Sequence, residues 1–319
     1  MAYQAGDPIL DDEYNTFVNN GTSPFGYNHF AGTGSGEYGL GQTPIATVSA
    51  GDTINASHWN TLFTVLDTIA NHTNDTMTSR SAVSAGDTIA IKAAVATDLA
   101  TLAASVAGGC TSATAIDTGT AAGSSTNAAT WNGTSTIERS VTFASADAMR
   151  HYFNAGGIIR IDPSCITGID GLKDDVFDDL TTTAIGNLDL KAHSTARSGS
   201  GETLTTDGLA NGFHDLGTSY TTLIKLTSDN SGYTSNTVEI QAKLNAAPGS
   251  ATVVTIKMIS TDAADDTTFS SNNLSGVPTN PNEAPRMTLA LIEVFPNDTQ
   301  GLASSIQSAS NAEVSNSAS

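Results

Sequence analysis

Apolar residues recur at helical spacing in the first third of the chain. The strongest pattern starts after Asn55 or Ser57, either of which can cap a helix. A shorter apolar face follows Pro8 and Asp11, which mark a helix start. The sequence predicts three helices, whose apolar positions are Tyr14, Phe17 and Val18; Trp59, Leu62, Phe63, Leu66, Ile69 and Ala70; and Val95, Leu99, Leu102 and Val106. The 4-3-4 spacing of the third set indicates a short bundle, made within the chain or between copies of it, and Gly108-Gly109 ends that helix.

A phrase of the form Ala-Gly-Asp-x-Ile precedes each of these helices, at residues 5–9, 50–54 and 85–89. The first two copies continue alike, with Tyr14-Asn15 matching Trp59-Asn60, whereas the third copy lacks this continuation. Unequal spacing argues against a solenoid, which needs regular stacking units. We therefore expect the aspartates of the phrase to act as turn and cap residues that aim three helices, not as ligands: Asp7, Asp52 and Asp87.

From residue 136 the apolar positions alternate instead, which is typical of half-buried strands. The predicted strands are 137–143, 158–161, 220–226, 237–244, 251–258 and 287–295, with a hairpin turn at 245–250 and short helices at 148–153 and from about Ile169. Several strands joined by turn-rich segments favour an antiparallel sandwich. The predicted fold class is α+β: N-terminal helical segments with extended Gly-rich arms, followed by an antiparallel β-sandwich-like domain.

The composition divides the chain into four parts. Residues 1–109 form a helical attachment or oligomerisation region, and 110–135, low in complexity, form a linker or extended arm. Residues 136–298 form the β domain, in which 270–285 is a surface loop. Residues 299–319 form a small-polar tail with too little apolar surface to order itself, so we expect a neighbouring subunit to hold it. We also expect the glycine- and aromatic-rich stretch 21–42 to be a loop ordered against a partner chain.

Charge and hydropathy limit the partners. Twelve basic against 32 acidic residues give a net charge of −20, which would repel a phosphate backbone, so nucleic acid is not an expected partner. No apolar run reaches the ~20 residues of a membrane span, and no signal peptide precedes residue 6, so we expect synthesis in a cytoplasm and no membrane insertion. Charged residues make up only 14%, and small neutral polar residues of the kind common in fibres and capsid surfaces replace them. A particle assembled inside a cell and released by lysis would explain both features.

Candidate chemistry is sparse. Cys110 and Cys165 match neither a disulfide scaffold nor a zinc site and are expected to be buried thiols. Residues 32–36 lack the strand before and the Lys-Ser/Thr after that a phosphate-binding loop requires. The histidines, which include His58, His72, His151, His193 and His214, have no second ligand nearby and are expected to be surface or packing residues. We predict no catalytic, cofactor-binding or metal-binding residue and no enzymatic activity.

Acidic residues are the remaining candidates for catalysis or Ca²⁺ binding. They lie at Asp174, Asp175, Asp178 and Asp179, and again at Asp262, Asp265 and Asp266. The calcium-loop pattern of alternating Asp or Asn, a central Gly and a closing Glu is absent, and two carboxylates identify a glycosidase only when the fold sets their separation. A solvated acidic face is favoured over cation binding, and cation binding over catalysis.

Several motifs together resemble virion structural proteins of tailed bacteriophages, in particular those of cyanobacterial and other aquatic phages. They are the Gly-Asp-x-Ile phrase with Tyr-Asn, Tyr38-Gly39-x-Gly41-Gln42, residues 48–54 leading to Trp59-Asn60, and 141–143 with 152–157. The resemblance covers most of residues 1–260 and implies a particle component without transferring a catalytic residue. The expected function is a homo-oligomeric tail, neck or tail-fibre protein of the virion that contributes to assembly and host attachment. Its partners would be copies of itself, other virion proteins and a host surface glycan or receptor. The alternatives are a head decoration protein and a glycan-binding or carbohydrate-active virion protein.

Overall fold

A computed structural model describes residues 11–19, 26–31, 39–73, 75–87, 92–107, 117–166, 172–263, 284–295 and 310–319. The chain forms two compact units, each built from three separate segments of the sequence. The helical unit comprises Met1–Asp117, Arg150–Gly156 and Pro296–Ile306. The β unit comprises Thr118–Met149, Gly157–Phe295 and Gln307–Ser319. These divisions differ from the predicted ones, because a short segment from the middle of the chain belongs with the N-terminal helices.

The helices form where the apolar periodicity places them. They are α1 (Asp11–Val18), α2 (Tyr27–Ala31), α3 (Ala56–Thr73), α4 (Lys92–Ala107) and α5 (Ala146–Asn154). Asn55 precedes α3, and the Nδ1 atom of His58 accepts a hydrogen bond from the Asn55 N–H at 3.2 Å, as the third helical residue does in a capping box. The apolar positions predicted for α1, α3 and α4 are buried, and they form one hydrophobic core in the helical unit. The three predicted helices are confirmed.

The β unit contains a five-stranded and a six-stranded sheet. The five-stranded sheet has the order β1 (Asp117–Thr126), β10 (Arg286–Phe295), β3 (Ile158–Ile166), β4 (Leu188–Leu190) and β5 (Thr195–Arg197). The six-stranded sheet has the order β11 (Ser310–Ala318), β2 (Thr134–Thr142), β9 (Val253–Thr261), β8 (Thr237–Leu244), β7 (Thr221–Thr227) and β6 (Thr203–Asp207). Neighbours pair antiparallel throughout the six-stranded sheet and from β10 to β5. The predicted α+β class with a sandwich-like antiparallel domain is confirmed.

Alternation of side chains builds the core of the β unit. Along β8, Val238, Ile240 and Ala242 are buried while the residues between them are half-exposed, as a strand with one solvated face requires. Helix α6 (Leu172–Asp178) continues into a π-helical turn, Asp179–Ile185, which contacts β3, β7 and β8. The ring of Phe177 on α6 lies edge-on to Trp131, 5.3 Å between centroids. Helix α6 therefore belongs to the core of the β unit.

The linker predicted for 110–135 is not observed in its described part. Residues 117–126 form β1 and pair with β10, and Trp131 forms an isolated bridge with Ala284. Strand pairing satisfies the backbone hydrogen bonds of this small-residue segment although its side chains carry little apolar surface. Residues 110–116 lie outside the described residues.

The predicted tail also needs correction. Residues 310–318 form β11, which pairs with β2 of the same chain, so no neighbouring subunit is needed to order them. Backbone pairing and polar side chains replace the apolar anchor that the sequence lacks. Residues 299–309 lie outside the described part of the chain, as do 264–283, which include most of the predicted loop at 270–285.

The stretch 21–42 packs within its own unit where it is described. The Leu40 N–H donates to the Phe30 carbonyl at 2.7 Å, the Gln42 N–H donates to the Ala31 carbonyl at 2.6 Å, and Leu40 is fully buried. The described residues 26–31 and 39–42 thus contradict a loop that depends on a partner chain for order. Within the described ranges, none of the helices is both long and apolar enough to cross a membrane.

Candidate functional site

The Gly-Asp phrases close two turns that are nearly identical. The Asp52 carboxylate accepts a hydrogen bond from the Ser49 N–H at 2.8 Å, and the Asp87 carboxylate accepts one from the Ser84 N–H at 2.7 Å. Gly51 and Gly86 take φ values of +92° and +95°, where a side chain would be strained. The turn role predicted for these two aspartates is confirmed, and their carboxylates are bound to backbone. Asp7 lies outside the described residues.

Asparagine side chains tie the helices to segments that lie outside any helix or strand. Asn15 on α1 donates to the Val48 carbonyl at 2.8 Å and accepts from the Val48 N–H at 2.9 Å. Asn60 on α3 donates to the Val83 carbonyl at 3.0 Å and accepts from the Val83 N–H at 2.9 Å. Asn28 on α2 makes the equivalent pair of bonds with Ile45, both at 2.9 Å. We call these three pairs the asparagine clamps.

The repeat of the phrase and the repeat of the clamp are one pattern. Each clamped valine directly precedes the Ser-Ala-Gly-Asp of the next phrase, so the helix after one phrase holds the turn of the following phrase. At the position that corresponds to Asn15 and Asn60, α4 has Val95, which is fully buried. The recurrence of Trp/Tyr-Asn together with Val-Ser-Ala-Gly-Asp was the sequence signal for this device, and periodicity alone missed it.

An acidic cavity in the β unit brings together part of the predicted carboxylate set. Asp175 and Asp178 on α6 and Asp179 at the start of the π-helical turn line a cavity of about 340 Å³. Its other lining residues come from α6 and from the loop between β7 and β8: Val176, Asn230, Ser231 and Tyr233. Three of the predicted carboxylates therefore lie around a concave surface, on which Asp175 is exposed to solvent and Asp178 and Asp179 are half-buried.

The remaining predicted carboxylates lie elsewhere. Asp174 is buried, and Asp262 is buried against the Lys173 ammonium, with 2.6 Å between Nζ and Oδ2. Asp265 and Asp266 are outside the described residues. Among the ranges that the structure describes, no group of three or more His, Cys, Asp or Glu side chains could hold a metal ion.

Glu202 sits close to the acidic cavity under unfavourable electrostatics. Burial raises the pKa of its carboxyl, and the neighbouring charges of Asp229 and Asp179 raise it further, against a hydrogen bond from the Asp229 N–H. Its φ of +54° is also in the left-handed region. The left-handed backbone at Glu202, together with the like charges beside it, marks the surroundings of Glu202 as a strained part of the β unit.

Half of the lysines in the chain line the outer face of the six-stranded sheet. The Nζ atoms of Lys257 and Lys243 lie 3.5 and 4.3 Å from the centroid of the Tyr220 ring. Lys257 also approaches Glu138 at 3.6 Å, and Lys225 approaches Glu239 at 3.4 Å. Burial opposes ionisation of Glu239, but hydrogen bonds from Thr222 and Gln241 and the charge of Lys225 prevail, and its pKa is lowered. The three lysines of this face are therefore paired with an aromatic ring or a carboxylate of the same sheet or its edge.

The remaining candidates are packing residues. His72 is buried, and its Nε2 lies 2.9 Å from the Ala155 carbonyl oxygen. His193 and His214 stack at 4.9 Å between ring centroids. Burial and the charges of Asp178, Asp174 and Asp175 raise the pKa of the half-buried Cys165 thiol to about 12, which makes it a poor nucleophile. Cys110 lies outside the described residues.

No protein-family model matches the chain, and neither the curated proteins nor the solved structures gave a match.

Proposed function

We propose that the protein is a structural component of a phage virion, a homo-oligomeric tail, neck or tail-fibre protein that contributes to particle assembly and host attachment. The resemblance of its motifs to virion structural proteins is the reason for assigning the protein to a virion. The observation that carries a structural role is the use of polar side chains as internal fastenings. In the asparagine clamps and the Gly-Asp turns, the side chains form hydrogen bonds with the chain's own backbone.

This use of polar groups suits a component that must hold its shape in a particle. A side chain that satisfies a backbone N–H and C=O stabilises one conformation of the segment that it binds. Such bonds order a segment that belongs to no helix or strand while needing few apolar residues. This matches a composition poor in charge and rich in Asn, Ser and Thr.

The mass of the purified protein in solution, measured by light scattering, tests the homo-oligomer. We expect a multiple of the 32.6 kDa chain. Labelling purified particles with an antibody against the protein, viewed by electron microscopy, tests its place. Label on the tail, neck or fibres supports the proposal, and label spread over the head would support the decoration protein instead. A monomer that is absent from particles would overturn both.

A second candidate function, glycan binding, is favoured by the acidic cavity. Carboxylates accept hydrogen bonds from sugar hydroxyls, carboxamides both accept and donate them, and a cavity volume of about 340 Å³ suits a small ligand. Retention on immobilised bacterial polysaccharide should fall when Asp175, Asp178 and Asp179 are changed together to Asn. The matched control changes the charges at the start of α1, Asp11→Asn, Asp12→Asn and Glu13→Gln, by the same amount. Equal retention of both triple variants would clear the cavity of this role.

A further inference from the structure

Three buried polar residues of the β unit, Lys173, Asn236 and Asp262, are brought to one end of the six-stranded sheet. The Lys173 ammonium on α6 contacts the Asp262 carboxylate at 2.6 Å, and both side chains are at least 96% buried. Asn236 precedes β8 and is fully buried. A lysine, a carboxyl and a carboxamide enclosed together form an unusual set, because each is costly to remove from water.

The strand register places Asn236 next to Asp262. Thr237 of β8 pairs with Thr261 of β9, so one step beyond the ladder Asn236 stands directly opposite Asp262. Asn236 and Asp262 face the same side of the sheet as Val238 and Ser260, a buried pair two positions further along the ladder. Side chains at directly opposite positions on one face have Cβ atoms about 5 Å apart. The Asp262 carboxyl therefore has the lysine on one side and the carboxamide across the ladder.

We propose that Lys173 and Asn236 become joined by an intramolecular isopeptide bond, with Asp262 carrying the proton between them. The Lys173 nitrogen attacks Cγ of Asn236, the new N–C bond replaces the Cγ–Nδ2 bond, and ammonia leaves. Asp262 accepts a proton from the lysine ammonium and returns it to the departing nitrogen. One ammonium and one carboxamide give one secondary amide and one ammonium ion, so atoms and charge balance and no electron is transferred.

The surroundings favour this reaction. The Asp262 carboxylate lies 2.6 Å from the Lys173 nitrogen, so transfer of one proton between them gives the neutral amine, which is the nucleophile, and a buried site carries a neutral pair more readily than water does. The Ala263 N–H donates to Oδ1 of Asn236 at 3.0 Å, at the oxygen where negative charge develops in the tetrahedral intermediate. The backbone around Asn236 is fixed by hydrogen bonds to Tyr233 and Ser228, so the carboxamide is held in place.

The bond would tie α6 to the start of β8 covalently and goes beyond the proposed structural role, on which it does not depend. In a particle component it would resist unfolding under force, since breaking it requires hydrolysis of an amide rather than loss of a hydrogen bond. It involves buried residues alone and needs no partner, cofactor or enzyme.

Mass spectrometry of the intact, denatured wild-type protein tests the proposal. We expect a mass below the sequence value by one ammonia molecule, and a branched tryptic peptide that joins residues 161–191, uncut at Lys173, to residues 226–243. The full sequence mass with linear peptides would overturn the proposal. So would loss of ammonia confined to a linear peptide, which indicates a succinimide at an Asn-Gly pair such as Asn132-Gly133. Loss of water with a Lys173–Asp262 branch would overturn the assignment to Asn236.

Variants test the roles, with circular dichroism to check folding. Lys173→Arg, Asn236→Ala and Asp262→Asn should each abolish the branched peptide, whereas the control Lys191→Arg should keep it. A branch that persists in Asp262→Asn would overturn the proton-carrying role. Because buried variants can fail to fold, a wild-type chain that has never folded, recovered from inclusion bodies directly into denaturant, is also followed. Its mass should equal the sequence value before refolding and fall by one ammonia molecule afterwards. Loss of ammonia at an equal rate in denaturant would contradict a reaction that needs the assembled site.

Discussion

At the scale of single residues, asparagine carboxamides in this chain take the place of a neighbouring strand as hydrogen-bond partners of the backbone. Residues 45–48 belong to no helix or strand, and Asn15 and Asn28 supply the donor and acceptor that a neighbouring strand would supply. One amide can satisfy both backbone groups of one residue because its oxygen and nitrogen point to the same side. The clamps thereby order segments that lie outside the helices and strands and that carry few apolar side chains.

Replacing Asn60 by Ala should destabilise the helical unit. The change removes both bonds to Val83 and leaves a partly buried N–H and C=O without these partners, which costs about 1–3 kcal/mol. Urea unfolding followed by the fluorescence of the buried Trp59 measures the loss.

Asn71 provides the matched control on the same helix. Its side chain is exposed on α3, so Asn71→Ala should be neutral or slightly stabilising, because Ala has the higher helix propensity. If Asn60→Ala cost no more than Asn71→Ala, the clamp would have no energetic role.

Glycine at the Gly-Asp turns should be needed for its conformation rather than its size. A Cβ at Gly86 would meet nothing within 4 Å, yet the φ of +95° is unfavourable for any other residue. Gly86→Ala should therefore lower the melting temperature, with a cost of about 1–2 kcal/mol. Gly217 also has open space around it but no positive φ, so Gly217→Ala should be neutral or stabilising. Equal effects of the two changes would contradict a conformational cause.

Glu202 should make the fold less stable as the pH rises. Its pKa is raised in the folded chain, by burial and then by Asp229 and Asp179, so the folded state holds its proton more tightly than the unfolded state does. The full penalty is present above the folded pKa and vanishes below the unfolded pKa. Glu202→Gln keeps an acceptor for the Asp229 N–H and should raise the melting temperature slightly at pH 7 but not at pH 3. A gain that is the same at both pH values would rule out the charge as its cause.

At the scale of elements, the sequence predicted those with a regular apolar pattern and missed those held by polar groups. Strand β8 was predicted at its observed bounds, and α4 was predicted from four buried positions. Strands β1 and β11 carry no apolar alternation, and β4 and β5 are three residues long, too short for a period to show. Strands β1 and β11 also pair with strands that are distant in sequence, which no local pattern encodes.

Strand β11 is attached by a buried arginine rather than by apolar contacts. Nε of Arg139 on β2 donates to Oδ1 of Asn311 at 3.0 Å, and its guanidinium also binds Ser125 of β1. Burial lowers the pKa of Arg139, and the charge of Glu313 on β11 opposes that shift. At the other end of β11, the Asn316 side chain accepts a hydrogen bond from Nδ2 of Asn127 and donates one to the Thr126 carbonyl.

Deleting residues 310–319 should therefore destabilise the β unit. The edge of β2 loses a strand and Arg139 loses Asn311, and leaving a buried charged group short of a partner costs about 1–3 kcal/mol or more. Thermal unfolding measures the loss. Asn311→Ala should reproduce part of it, whereas Val314→Ser, at a side chain that is 53% exposed beside the β11 bulge, should have little effect. An unchanged melting temperature after the deletion would show that β11 adds nothing to the fold.

At the scale of the whole molecule, the chain is not a helical part followed by a β part. Residues 150–156 lie between β2 and β3 in sequence and belong to the helical unit. There the Asn154 amide donates to the Gly39 carbonyl at 2.9 Å, His72 contacts the Ala155 carbonyl, and Ala155 joins the hydrophobic core. A boundary drawn from composition missed this segment, because its pattern is that of an ordinary short helix.

Removing the Asn154 contact should consequently weaken the N-terminal helices, although more than 80 residues of sequence separate it from α3. The two tryptophans allow the units to be followed separately: Trp59 belongs to the helical unit and Trp131 to the β unit. In a Trp131→Phe background, Asn154→Ala should lower the temperature at which Trp59 fluorescence reports unfolding, by several degrees for a loss of about 1–2 kcal/mol. Asn187→Ala, the same change at a half-exposed position of the β unit, should leave that transition in place. If Asn154→Ala left it unmoved as well, the hydrogen bond from Asn154 to Gly39 would contribute nothing to the stability of the helical unit.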